Sequence, residues 1–167
     1  MWRVVGNSGK RESTVPKMVK AFNRTVYVGT FQHAVDEKKR VAVPAEWRAA
    51  ARGTSEFYVL PSTKKCLSVY TATLMLKILE KADDISMGEE ERSDAVRAVA
   101  GRAHRAWCDK QGRINLPDQL LQYAGIDKEV ALVGMFNKFE IWSPERLQPV
   151  NRAAMENFAD TVKKLGL

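Results

Sequence analysis

The 167-residue sequence is 45% apolar and 28% charged, proportions typical of one compact domain or two small ones. No apolar run approaches the roughly 18 residues of a membrane-spanning helix, and the N-terminal residues lack the apolar core of a secretory signal, so we expect a cytoplasmic protein without a membrane segment. Lys and Arg outnumber Asp and Glu by 27 to 20, but residues 1–25 contribute +5 of this +7, which leaves +2 on residues 26–167.

The first 25 residues are basic and polar and show no sustained hydrophobic period, which predicts a flexible arm. Within it, Gly6-Asn7-Ser8-Gly9-Lys10 resembles a phosphate-binding loop only superficially. The glycines are too close together, and Arg11 stands where a magnesium-binding hydroxyl would be needed. We therefore do not expect nucleotide binding there, and no cofactor is predicted.

After the arm, one sequence pattern occurs twice. An Asp is followed four residues later by an Arg and four residues after that by a Pro, first at Asp36–Pro44 and again at Asp109–Pro117. The first copy follows the strand-like run Val26–Val35, and each Pro suits the first turn of a short helix. Each copy continues with such a helix and two β-rich apolar runs that predict a hairpin: 45–51, 57–60 and 66–70, then 118–123, 130–133 and 139–142. The repeat predicts a duplicated unit whose halves pack on each other, because one half alone would bury little core.

The Asp and Arg of each copy have a spacing that suits a tight turn. An Asp at the start of a turn accepts hydrogen bonds from backbone N–H groups two or three residues later, and an Arg at the chain reversal provides a charge-assisted partner. One interpretation is that these pairs only close turns. The other is that the turns present cations to an anionic partner. The two interpretations are compatible, and the cations concerned are Arg40, Arg113, Lys38, Lys39 and Lys110.

Helices are predicted between the halves and at the end of the chain. Two segments, 71–79 and 89–102, have helical periodicity, and the acids Glu89, Glu90 and Glu91 suit the dipole of the second one. A terminal helix is expected after Ser143, with a break or restart near Pro149. Its apolar stripe predicts core packing, although it could instead hold a partner subunit: Leu147, Val150, Ala154, Phe158, Val162 and Leu165.

No arrangement of side chains indicates catalysis or metal binding. Cys66 and Cys108 have no Cys or His at metal-ligand spacing and are expected in strands as small buried hydrophobic residues. His33 and His104 are expected to be strand histidines that neighbours satisfy with hydrogen bonds. A hydrolase or transferase that used the two repeat aspartates as acids would need a pocket and further groups that the sequence does not show. We therefore predict no enzymatic activity.

The repeated turns, Tyr123-Ala124-Gly125 and the run from Val133 to Trp142 together resemble the MraZ family of the SpoVT/AbrB superfamily of transcription factors. The resemblance covers roughly Val26 to Leu147. It implies an α+β fold in which two SpoVT/AbrB-type units form a swapped-hairpin β-barrel with linking helices and a C-terminal helix. It also implies a ring-shaped homo-oligomer at the nucleoid that binds short direct repeats in double-stranded promoter DNA, usually as a repressor of the division and cell-wall operon.

On this basis the chain divides into an arm (1–25), a first unit (26–76), a helical connector (77–102), a second unit (103–147) and a C-terminal helix (148–167). The predicted DNA-binding residues are Arg40, Arg113, Lys38, Lys39 and Lys110, and the predicted turn-structuring residues are Asp36, Asp109 and Gly112. Lys39 departs from the family by standing where the second copy has Gly112, and a left-handed backbone there would cost a Lys about 1 kcal/mol. Two alternatives stay open: an oligomeric protein-interaction module without DNA specificity, and an antitoxin-like member of the superfamily.

Overall fold

The computed structural model describes residues 26–50, 56–83 and 88–166, so the predicted arm and its glycine-containing stretch lie outside the described residues. The strands are β1 Thr30–Ala34, β2 Arg40–Ala42, β3 Glu56–Pro61, β4 Leu67–Thr71, β5 His104–Trp107, β6 Arg113–Asn115, β7 Glu129–Gly134 and β8 Phe139–Trp142. The helices are α1 Ala45–Ala50, α2 Ala72–Asp83, α3 Glu89–Ala100, α4 Asp118–Ala124, α5 Pro144–Glu156 and α6 Phe158–Lys164. These elements confirm an α+β fold with an antiparallel sheet.

The two halves exchange their first strands. Six strands form an antiparallel sheet in the order β1-β7-β8-β4-β3-β5, and β2 pairs with β6 in a second, two-stranded sheet. The predicted hairpins are present as β3–β4 and β7–β8. However, β1 lies on the hairpin of the second half, with Thr30 opposite Val133, and β5 lies on the hairpin of the first half, with His104 opposite Val59. The halves are therefore joined by backbone ladders as well as by side-chain packing.

The first strand is shorter than the predicted run from Val26 to Val35. Gly29 has a φ of +89°, a left-handed conformation that interrupts the extended chain. Before it, Tyr27 forms only an isolated bridge with Phe136, in which its N–H donates to the Phe136 carbonyl at 2.7 Å. The ladder with β7 therefore starts at Thr30.

Side chains of the large sheet alternate between two apolar clusters. In β7, Val130 and Leu132 belong to the main core, whereas Ala131 belongs to a smaller cluster with Trp142 and Leu147 of α5. This two-residue alternation places the clusters on opposite faces of the sheet. In the main core, the Phe139 ring contacts three other aromatic rings at centroid distances of 5.0–5.6 Å: Tyr27, Trp47 and Phe57.

The connector helices α2 and α3 confirm the helical prediction for this segment, and the three predicted acids lie in the first turn of α3. The two repeat prolines, Pro44 and Pro117, immediately precede α1 and α4 and are not part of the helices' first turns. The predicted break at Pro149 is wrong, because α5 continues through it to Glu156. Pro149 has no N–H to donate to the carbonyl of Glu145, four residues earlier. Glu145 is exposed near the start of the helix, so water can bind this carbonyl instead.

The expectation that the terminal apolar stripe is core holds only for Leu147. Val150, Ala154, Phe158 and Leu165 are exposed, and Val162 is half-buried. Val150 and Ala154 lie on α5, Phe158 and Val162 lie on α6, and Leu165 follows the end of α6.

The cysteines and His33 differ from their predictions in detail. Cys66 is buried and Cys108 is half-buried, and each adjoins a strand without being part of it. Burial raises the pKa of both thiols, which fits apolar packing. The hydrogen bond expected for His33 is not found: its Nε2 is buried without a partner among the described residues. Within the same residues, no group of three or more His, Cys, Asp or Glu could hold a metal, and none of the helices has the length and apolar composition of a membrane span.

Candidate nucleic-acid interface

The two Asp-to-Arg segments fold into the same turn. Oδ1 of Asp36 accepts hydrogen bonds from the backbone N–H groups of Lys38 and Arg40, both at 2.9 Å. Oδ1 of Asp109 accepts the corresponding bonds from Gln111 and Arg113, again at 2.9 Å. In each turn the Arg Nε then donates to Oδ2 of its own Asp at 2.8 Å. Each aspartate therefore accepts three hydrogen bonds from residues of its own turn.

The turns lie side by side and share their charges. Arg40 Nη1 donates to Oδ2 of Asp109 at 3.3 Å, and Arg113 Nη1 lies 3.6 Å from Oδ2 of Asp36. The pairing of β2 with β6, which places Arg40 opposite Asn115, holds the turns together. We call residues 36–40 and 109–113 the paired corners. Arg40 and Arg113 come from opposite halves of the sequence and belong to one cluster. Their side chains are 26% and 27% exposed, so neither is buried in the core.

The carboxylates of this cluster are held in the charged state. Hydrogen bonds from the backbone N–H and the side chain of Arg113 lower the pKa of Asp109 to about 2. Burial acts to raise the pKa of Asp36, but the combined hydrogen bonds from Arg40 and Lys38 outweigh it and the pKa falls below its usual value. Each guanidinium therefore uses Nε and at least one terminal nitrogen on a carboxylate, and the four-residue cluster is electrically balanced.

The lysines around the cluster supply its excess positive charge. Lys38, Lys39 and Lys110 are exposed, with Glu37 as an acid of opposite sign in the first turn. Lys39 Nζ lies 3.5 Å from an Asp118 carboxylate oxygen, although both side chains are more than half exposed and the pair is weak. The three predicted lysines thus lie in the same surface region as the two arginines.

The departure at Lys39 does not reshape the first corner. Lys39 has a φ of +59° and Gly112 a φ of +78°, so both positions are left-handed. Both also accept the same backbone bond at 2.9 Å, from Leu116 to the Lys39 carbonyl and from Val43 to the Gly112 carbonyl. The distance from Arg40 Nε to its Asp equals that of Arg113, so the first corner tolerates the strain.

Arg48 is a residue of this region that the sequence did not reveal. Its guanidinium packs on Gly112, so closely that a Cβ there would lie 2.4 Å from the Arg48 Cζ, and its Nε donates to the Val43 carbonyl at 3.0 Å. Counting eight residues from the repeat Arg in the second half gives Leu121, which is buried and uncharged. Within the described part of the chain, the second half therefore has no arginine equivalent to Arg48. No local pattern predicts this contact, because Arg48 and Gly112 belong to different halves.

Comparisons with known proteins agree with the duplicated architecture. A family model described as "MraZ protein, putative antitoxin-like" matches residues 26–97 and again residues 99–165. A protein of Thermomicrobium roseum named transcriptional regulator MraZ is 36% identical over 120 residues, which cover 72% of this chain and 83% of the relative. A protein of the same name from Lachnoclostridium phytofermentans is 33% identical over 142 residues, 85% of this chain and 99% of the relative. The two family matches span most of the residues after the arm, and the chain belongs to the MraZ family.

Proposed function

We propose that this protein is a DNA-binding transcriptional regulator that uses the paired corners as its contact surface, and that it is not an enzyme. The observation that carries the proposal is the arrangement of Arg40 and Arg113, which come from opposite halves of the sequence and form one partly exposed cluster. Relatives covering most of the chain are named transcriptional regulators, which supports the same conclusion.

A closed, swapped-hairpin β-barrel would provide the rigid support for this surface. The exchange of β1 and β5 between the halves supports such a barrel. In addition, β2 contacts β1 and β6 contacts β5, so the small sheet adjoins both edges of the large one. In this arrangement the paired corners lie where the edges meet, and the unit boundaries proposed at residues 26–76 and 103–147 describe sequence repeats that share one barrel.

The lysines and the arginines of the paired corners bind different parts of the DNA. The exposed Lys38, Lys39 and Lys110 neutralise phosphates and release counterions, which gives salt-sensitive affinity without sequence preference. Arg40 and Arg113 are held in place by carboxylates, and their remaining N–H groups meet base edges in the major groove, where a good bidentate contact contributes about 1–3 kcal/mol of discrimination. Because part of each guanidinium is already used, we expect discrimination near the lower end of that range.

A ring of subunits would compensate for the few contacts that one chain can make. Several apolar side chains are exposed on or next to α2, α3 and α6, which supports helix-mediated association: Leu76, Leu79, Val96, Val99, Phe158 and Leu165. A ring that lays several paired corners along short direct repeats raises the effective concentration of each later contact. We propose that the operator lies upstream of the division and cell-wall operon, that binding represses it, and that the protein resides at the nucleoid.

The experiment is a binding titration with the DNA upstream of the protein's own gene, measured by fluorescence anisotropy over a salt series. Lys38→Gln and Lys110→Gln remove charge without touching the Asp–Arg cluster, and each should reduce the slope of log K against log salt by about 0.9. Arg113→Lys should lose preference for the specific duplex over a scrambled one, because Lys cannot make a bidentate contact.

Arg152→Gln is the matched control, since Arg152 is exposed on α5 and lies outside the corners. This substitution should change neither the slope of log K against log salt nor the preference for the specific duplex. Equal affinity for all variants would remove the corners from the mechanism. Absence of binding by the wild type, with the particle intact by sedimentation, would instead favour the protein-interaction module that the exposed helix faces suggest.

A further inference from the structure

Trp107 is a large exposed side chain next to the second corner. It is 56% exposed, whereas the other two described tryptophans, Trp47 and Trp142, are buried at 1% and 2%. It ends β5, an edge strand of the six-stranded sheet, and precedes Asp109 by two residues. Two residues of extended chain span at most about 7 Å, so the backbone of Trp107 lies within about that distance of Asp109.

Neighbouring side chains fix the indole in place. The Arg105 guanidinium stacks on the Trp107 ring at 4.7 Å from its centroid. Arg105 Nε in turn forms an ion pair with Glu56, which lies opposite Trp107 in the ladder between β3 and β5. The Arg105 side chain is 57% exposed, so the cluster presents an indole and a guanidinium on the surface.

The first half lacks this arrangement. Counting back from the repeat aspartates, the positions of Arg105 and Trp107 are occupied by Gln32 and Ala34. The ladders agree, because Ala34 lies opposite Glu129 as Trp107 lies opposite Glu56. The two corners are thus alike in their turns and different in their flanks, and only the second has an aromatic and cationic flank.

We propose that Trp107 and Arg105 form an additional contact with duplex DNA beside the second corner, and this inference rests on the DNA-binding function proposed above. The terminal nitrogens of Arg105 bind a phosphate, and the indole packs on the adjacent deoxyribose. DNA suits this surface because the exposed Lys110 follows Trp107 by three residues and because a guanidinium matches a phosphate in charge and geometry. Each chain then binds its two corners unequally, and this gives the protein a direction along a direct repeat.

The test compares Trp107→Ala, Trp107→Phe and Arg105→Gln with the wild type in the salt-series titration. Arg105→Gln should weaken binding about fivefold to tenfold and reduce the salt slope by about 0.9, because one phosphate contact is lost. Trp107→Ala should weaken binding about tenfold at every salt concentration with an unchanged slope, and Trp107→Phe should restore most of the affinity. In a hydroxyl-radical footprint, Trp107→Ala should lose protection on one side only of each repeat.

Gln32→Ala, at the equivalent exposed position of the first half, is the matched control and should bind as the wild type does. If Arg113→Lys loses specificity while Trp107→Ala and Arg105→Gln keep wild-type affinity, slope and footprint, the flank inference is wrong and the proposed function stands. If the wild type binds no DNA, both fail. A change of sedimentation in Trp107→Ala with unchanged DNA affinity per subunit would identify the patch as a subunit contact and overturn the inference.

Discussion

Replacing Gly112 by Ala should destabilise the protein through two separable effects. The first is backbone strain, because a residue with a Cβ at φ +78° costs about 1 kcal/mol. The second is displacement of Arg48, whose Cζ lies 2.4 Å from the position of the new Cβ. The guanidinium is the flexible end of its side chain and can move away, but it then loses the bond to the Val43 carbonyl, which contributes about 1 kcal/mol. We expect a total loss of about 2 kcal/mol.

A double-mutant cycle separates the two effects. With Arg48→Ala already in place, Gly112→Ala should cost only the strain of about 1 kcal/mol, which leaves a coupling energy of about 1 kcal/mol between the positions. The free energy of unfolding is measured by urea denaturation at fixed protein concentration, and the midpoint should shift without a change of slope. Additive losses in the cycle would refute the packing of Arg48 on Gly112. As a control, Lys39→Gly should raise the free energy of unfolding by no more than about 1 kcal/mol. The relief of backbone strain is offset by the greater conformational entropy of Gly in the unfolded state.

Three further predictions concern ionisable and polar groups. The pKa of Asp109 is lowered to about 2 in the folded state. Its contribution to stability is therefore present above the unfolded pKa of about 4 and is lost as the pH falls toward 2. Asp109→Asn should reduce the fall of the melting temperature between these pH values. Tyr27→Phe should leave the melting temperature unchanged or raise it, because the buried hydroxyl has no partner among the described residues, and a clear fall would reveal a partner. Lys138→Met should lower the free energy of unfolding, measured by urea denaturation, by about 3 kcal/mol because the buried Glu140 carboxylate loses its cation. Adding Glu140→Gln should recover much of this loss. A loss below about 1 kcal/mol would contradict a buried ion pair.

The local elements of this fold follow from short-range sequence patterns. The β-rich runs at residues 57–60 and 139–142 predict strands because their periodicity and composition depend on neighbouring residues alone. The spacing of Asp109 and Arg113 predicts a hydrogen-bonded turn for the same reason, and the observed distances agree. The repeat also identifies which cations correspond in the two halves.

Features that depend on distant residues could not be obtained in this way. The strand pattern of β1 is equally compatible with its own hairpin and with that of the other half, so the exchange is not encoded in its periodicity. The contact of Arg48 with Gly112 requires the tertiary fold, and the exposure of Phe158 depends on where α6 lies relative to the sheet. Strain at Lys39 was foreseeable because the second copy of the repeat has a Gly there, which indicates a left-handed backbone.

The exchange of β1 has a consequence during synthesis. The ladder partner of Thr30 is Val133, roughly a hundred residues later in the sequence. When the first hairpin has left the ribosome, β7 has not yet been synthesised, so β1 has no strand to pair with. At translation speeds of about 5–20 residues per second, β1 waits for several seconds at least. During this interval the nascent chains on one messenger expose identical open strands, and pairing between neighbouring chains competes with completion of each one.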